Sequence, residues 1–201
     1  RGHYENRGKI VKREPPEVLT PFPKGAPNNR MGLAKWLTTS DHPLLARVTV
    51  NRYWQMIFGR GLVSTSEDFG MQGKPPTHPE LLDWLARDFV SSGWNLHHLL
   101  KKMVLSHTYR QESRIFQRAK DIDPENLLLS RSPAYRLPAE MIRDGLLFHS
   151  NLLHKKIGGA GAKPYDLKVS FKPINPDGAP NVYRRSMYTY WKRTGPTPVM
   201  M

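Results

Sequence analysis

Four residues carry groups suited to acid–base chemistry: Asp68, His78, Glu80 and Arg110. Asp68 opens an Asp-Phe-Gly triplet of the kind with which kinases hold a metal. The chain has neither a glycine-rich phosphate loop on a strand nor a catalytic-loop motif. A turn is the simpler reading, with Gly70 left-handed and Phe69 packed. His78 precedes Pro79-Glu80 and could equally cap a helix. A hydrolase-like site near residues 59–80 requires these groups to meet one substrate in one pocket. Eight histidines raise the question of a metal, but none shows the spacing of two His four apart flanking a Glu. His97 and His98 are adjacent, and His149 and His154 are five apart, so neither pair shares a helix face. No metal site is expected. Glu140, Arg143 and Asp144 fall on one helix face and read as a local ion-pair cluster.

A second constellation interleaves cations with rings: Arg184, Arg185, Tyr188, Tyr190 and Trp191. Cations beside flat rings suit single-stranded nucleic acid, and also acidic sugars. A half-buried strand with cation–π contacts explains the same pattern. Gly158-Gly159-Ala160-Gly161 lacks the strand-to-helix context of a phosphate loop.

Composition limits the choice. The 201 residues carry 31 Lys+Arg against 17 Asp+Glu, net +14. Residues 1–30 contribute net +4, 31–110 net +3 and 111–201 net +7, so the excess lies in the flanks. Nucleic acid is disfavoured, because the helix-rich middle is nearly balanced and carries no recognised motif. There are no cysteines, which excludes disulfides, thiol catalysis, Cys-ligated zinc, iron–sulfur clusters and covalent haem attachment within this chain. No apolar run is long enough to span a bilayer.

The elements that must position these residues are mainly helical. Prolines 15, 16, 21, 23 and 27 make residues 1–28 an extended lead-in. Helices are expected over 29–39, from Asp41 as N-cap to Gly59, from Pro79 to Gly93, after Asn95, and over 138–153. That is a helical domain of about five helices with long Pro/Gly-rich loops. The 59–78 loop is pinned by Leu62, Val63 and Phe69. Residues 111–125 read as a short helix plus loop. Residues 186–191 are the strand candidate. The organisation expected is a lead-in (1–28), a helical core (29–157) and a basic Pro/Gly-rich part of the same domain (158–201). The abrupt ends suggest a piece of a longer protein.

Several segments together resemble one family. They are Asn51-Arg52-Tyr53-Trp54, Phe58-Gly59-Arg60-Gly61-Leu62-Val63, Asp68-Phe69-Gly70, Thr77-His78-Pro79-Glu80-Leu81-Leu82-Asp83-Trp84, Ser106-His107-Thr108-Tyr109-Arg110-Gln111 and Arg184-Arg185-Ser186-Met187-Tyr188. Their order and spacing are similar to domain of unknown function family 1553 of planctomycete-type bacteria. The resemblance covers nearly the whole chain and supplies no catalytic residue. It implies an exported setting, periplasmic or at the cell surface, behind a cytochrome-c-like domain. Any haem is then expected only upstream, and none in this chain. The function expected is a scaffold or binding module for an acidic polymer, a polysaccharide among the options, or for its own upstream domains. An enzyme and a basic nucleic-acid-binding domain are the competing readings.

Overall fold

A computed structural model describes residues 8–165 and 175–192. The first seven residues of the lead-in, part of the Pro/Gly/Lys-rich stretch, and Arg193 onward lie outside the described residues. The chain divides into two compact units, Arg1–Ala134 and Tyr135–Met201. The division falls ahead of the last helix rather than after it, where the composition changes.

The first unit holds α1 (Arg30–Leu37), α2 (Leu45–Phe58), α3 (Pro79–Ser91), α4 (Leu96–Leu105), α5 (His107–Arg110) and α6 (Gln117–Ile122). The protein is mainly helical, as its periodicity requires. Asn29 caps α1 by accepting from the backbone N–H of Met31 and Gly32. Asn95 caps α4 through His98 N, 3.1 Å away. The start of α2 differs from the sequence expectation. His42, not Asp41, serves it, its Nδ1 accepting from Leu44 N and Leu45 N at 3.3 Å each. His42 is buried edge-on against Trp36, and the Trp36 indole donates to Thr20 O at 2.7 Å. An exposed Asp41 has no such packing to hold it in place. α2 ends at Gly59, whose φ of 78° is the left-handed cap that glycine adopts without Cβ strain.

Helices α2, α3 and α4 enclose the core: Val50, Trp54, Phe58, Leu82, Leu85, Phe89, Leu99 and Met103. Trp54 stacks on Phe58 with ring centroids 4.0 Å apart. Each such side chain contributes about 1.5–3 kcal/mol by leaving water. Leu62 and Val63 join the core from the 59–78 loop, with Phe69 packed against it. The loop's three expected apolar anchors are therefore seated. Ion pairs cross the helices: Arg47 Nε to Asp83 Oδ1 at 2.6 Å joins α2 to α3, and Lys102 Nζ to Asp88 Oδ1 at 2.5 Å joins α4 to α3.

The second unit contains α7 (Ala139–His149) and two 3-10 turns, Asn181–Tyr183 and Ser186–Tyr188. Helix α7 packs on the second turn. Among the described residues the strand expected over 186–191 is met only as one isolated parallel bridge, Ala162 with Thr189, with a second, His154 with Arg184, just ahead of it. The physical reason is visible in the hydrogen bonds. Tyr188 N and Thr189 N turn back to Arg185 O and Ser186 O, which coils the segment instead of extending it. Buried residues among those described here are few: Ala162, Arg184, Ser186 and Thr189. Of the apolar stripe on α7, expected to face a core, Met141, Ile142 and Leu146 are exposed and Leu147 is half-buried. This unit is held mostly by polar contacts.

Candidate functional site

Three places gather the chemistry-bearing residues. The first is the 59–78 loop, and its organiser is Asn51. Asn51 is completely buried on α2. Its Oδ1 accepts from Val63 N at 2.9 Å, and its Nδ2 donates to Val63 O at 3.0 Å and Ser66 Oγ at 3.1 Å. One side chain thus satisfies both backbone groups of Val63, as a neighbouring strand would. Gly61 lies so close that an added Cβ would sit 2.6 Å from both Asn51 Nδ2 and Val63 O.

Farther along, Asp68 Oδ1 accepts from Gly70 N at 2.7 Å, forming an Asx turn. Gly70 does not take the left-handed conformation expected of it, because the Asp68 carboxylate closes the turn without it. His78 Nδ1 lies 3.0 Å from Thr77 Oγ1 and makes no cap bond to α3. Glu80 is exposed in the first turn of α3. No hydrogen bond or ion pair joins any two of Asp68, His78, Glu80 and Arg110 among the described residues. Arg52 pairs with Glu67 at 3.0 Å in an exposed setting, and Trp84 is half exposed with Lys102 Nζ 4.7 Å from its ring centroid.

The second place is an open pocket of about 480 Å³ lined by His107, Thr108, Arg110, Gln111 and Leu129. Short helix α5 supplies the first three. Ser106 caps it through Tyr109 N at 3.1 Å. Gln111 Nε2 donates to Thr108 O at 3.1 Å and Leu129 O at 3.0 Å, tying α5 to the loop after α6. That loop is closed on itself. Buried Asp123 accepts from Leu127 N and Leu128 N at 2.7 Å each, and buried Arg131 donates to Asp123 O and Pro124 O. Sequence reading missed both. Asp123 four and five residues before the N–H groups it binds is the signal that was present.

The third place is the pairing of 154–163 with 184–190. Arg184 is 4% exposed and faces no carboxylate among the described residues. Its Nη1 donates to Ala160 O at 2.8 Å, and its Nη2 to Gly158 O at 2.6 Å and Lys156 O at 3.2 Å. Its guanidinium lies 4.0 Å from the Tyr188 ring centroid, and Tyr188 Oη accepts from Gly158 N at 3.0 Å. Gly158 and Gly159, at φ 75° and 84°, let the loop turn its carbonyls onto this cation. From α7, Arg143 donates to Val182 O, Arg184 O and Ser186 Oγ, and Asp144 accepts from Ser186 N at 2.7 Å. The Arg143–Asp144 pair itself is long, 3.8 Å. Glu140 is half-buried and joins neither. Arg185, Tyr190 and Trp191 are exposed, as are Lys155, Lys156 and Lys163 on the paired segment.

No group of three or more His, Asp or Glu side chains is placed to hold a metal among the described residues, and no helix there is long and apolar enough to cross a membrane. The geometry defines a mainly helical protein with three backbone-clamped loop systems. Over residues 29–201 the chain matches the family model described as PSD1, protein of unknown function (DUF1553), and it belongs to that family. No curated protein and no solved structure matches it.

Proposed function

We propose that the protein is a binding module for an acidic polymer, with an acidic polysaccharide as the class of ligand, and that the second unit is the binding element. The observation that carries this reading is the paired strip. Two bridged segments hold Lys155, Lys156, Lys163 and Arg185 exposed, beside exposed Tyr190 and Trp191. The paired segments contain no carboxylate, and two nearby ones accept from backbone donors of the strip: Asp144 from Ser186 N and Asp177 from Lys163 N. The cations are left to an external anion, and the rings offer flat apolar faces to a sugar. An exported setting, near the parent protein's upstream domains, belongs to the same proposal.

The test is affinity electrophoresis and titration calorimetry with heparin, polygalacturonate and neutral dextran. Binding to a charged polymer but not to dextran is expected, weakening steeply with salt because exposed charge interactions are screened over about 8–10 Å. Replacing Lys155, Lys156, Lys163 and Arg185 together with Gln should reduce affinity at least tenfold. Absence of binding to both charged polymers at low salt overturns the reading, as does an unaffected quadruple variant. Tighter binding to single-stranded DNA than to either polysaccharide would replace it with the nucleic-acid reading.

A further inference from the structure

The pocket on the first unit has a chemistry of its own. Its wall carries Arg110, a permanent cation, beside the His107 imidazole and the Thr108 hydroxyl, and its lining includes no carboxylate. None of these three side-chain groups has a hydrogen-bond or ion-pair partner among the described residues. The fourth polar group, Gln111, is already engaged with two carbonyls, so it holds the wall and leaves recognition to the others. Leu129 supplies an apolar surface and packs on the core behind it. Its backbone sits at φ 56°, an unfavourable conformation for leucine. The Asp123–Arg131 loop that imposes this conformation is itself fixed by six hydrogen bonds between side chains and backbone groups, including Asn126 Nδ2 to Arg131 O at 2.8 Å.

We infer that this pocket binds a single oxyanion-bearing group of monosaccharide size, with Arg110 engaging the anion and Thr108 and His107 donating beside it. A volume of about 480 Å³ lies within the range of small-ligand sites. A planar guanidinium can bind two oxygens of either oxyanion, and a carboxylate is favoured over a sulfate ester because it is the more basic hydrogen-bond acceptor. The site lies on a different unit from the basic strip and stands whether or not that strip binds a polymer. Four of its five lining residues come from the Ser106–Gln111 segment, which Tyr109 anchors to the core edge-on against Phe58.

The experiment is a titration of the full chain with galacturonate, galactose and inorganic sulfate. It is followed by the His107 imidazole resonances and by calorimetry. Saturable binding of galacturonate is expected, with His107 signals shifting, galactose at least tenfold weaker and sulfate intermediate. Arg110→Gln should weaken galacturonate at least tenfold, with Arg110→Lys recovering only part of it, because an ammonium cannot make the bidentate contact. The quadruple variant of the basic strip serves as a control and should bind galacturonate as the parent chain does. Equal binding of galactose and galacturonate overturns the inference. So does unaltered galacturonate affinity in Arg110→Gln, or loss of it in the quadruple variant. A preference for sulfate over galacturonate overturns the carboxylate assignment.

Discussion

Replacing Asn51 tests the account of the 59–78 loop. In Asn51→Ala, Val63 N–H loses its acceptor, and Val63 C=O keeps only the Ser66 hydroxyl at 3.4 Å. Val63 is 2% exposed, so water cannot replace either bond without opening the loop. Each orphaned buried group costs about 1–3 kcal/mol, and the space left by the amide adds a smaller cavity penalty. The sum is about 2–5 kcal/mol, a large share of the roughly 5–15 kcal/mol that holds a domain folded. In urea, at a slope of about 2 kcal/mol/M, the midpoint should fall by about 1–2.5 M. Hydrogen exchange at Val63 N–H should accelerate more than at Leu99 N–H, which is bonded within its own helix.

The Asn51→Asp variant separates hydrogen bonding from packing. A carboxylate can accept from Val63 N but cannot donate to Val63 O, and its charge is buried. Burial raises the carboxyl above its unfolded value. The folded form then holds its proton where the unfolded chain has released it. Relative to the parent, the variant should therefore be least destabilised below the unfolded carboxyl value of about 3.9 and lose further ground as pH rises through the folded one. A urea midpoint within about 0.3 M of the parent for Asn51→Ala, with Val63 exchange unchanged, would refute the reasoning.

Gly61→Ala places a methyl group against the same amide and the Val63 carbonyl. Thermal melting should show a loss of about 1–3 kcal/mol from overpacking. Asp88 is held below its usual range, first by the hydrogen bond from Lys102 and also by His98, against the opposing effect of burial. A depressed carboxyl stabilises above its unfolded value, here 3.8, and that stabilisation is lost as pH falls through the lower folded value. Asp88→Asn should thus cost about 1 kcal/mol at pH 7 after allowance for the partly exposed partners. It should also flatten the acid limb of the stability curve below pH 3.8, measured by urea unfolding at several pH values. Arg184→Gln removes one charge, as Lys155→Gln does, but it also frees three carbonyls of the 156–160 loop. Its effect on polymer affinity should exceed that of Lys155→Gln severalfold, and equal effects would show that the loop's shape is irrelevant to binding.

The helices were legible where an apolar stripe met a capping residue. Asn29, Asn95 and Gly59 each sit where the backbone needs them, and Leu82, Leu85 and Phe89 repeat at helical spacing and are buried. What escaped sequence reading depended on partners distant in the chain. His42 reaches α2 where Trp36 packs its ring, and α7 has an amphipathic pattern in which Met141, Ile142 and Leu146 stand exposed. The 186–191 segment has strand-forming residues, yet local bonds between Arg185 and Tyr188 coil it. Of the candidate site residues, Arg184 and Tyr188 turned inward to bind a loop, whereas Arg185, Tyr190 and Trp191 are exposed. Residue type alone could not separate them, because arginine and tyrosine serve either role. The pocket at Arg110 needed the Leu129 loop to complete it, which lies 19 residues on in the chain.

Asn51, Asp123, Arg131 and Arg184 share a role that bears on function. Each is buried, and each binds mainly the backbone of an irregular segment. An apolar residue at these positions could cover the same segments but would not fix their conformation, since packing is not directional and leaves backbone groups unpaired. Burying a cation such as Arg184 without a carboxylate is costly unless several oriented carbonyls face it. The chain accepts that cost to hold loops rigid, not to join helices, which the apolar core already does. Rigid loops matter when their exposed side chains must meet a partner in a set arrangement, because ordering them beforehand removes part of the entropy cost of binding. Three loop systems are held this way: one carries the exposed Lys155, Lys156 and Lys163, one supplies the Leu129 wall of the Arg110 pocket, and the third is the 59–78 loop on Asn51. The placement of buried polar groups therefore points to both cationic surfaces by an argument that does not use charge, and it adds the 59–78 loop as a third segment held in a set shape.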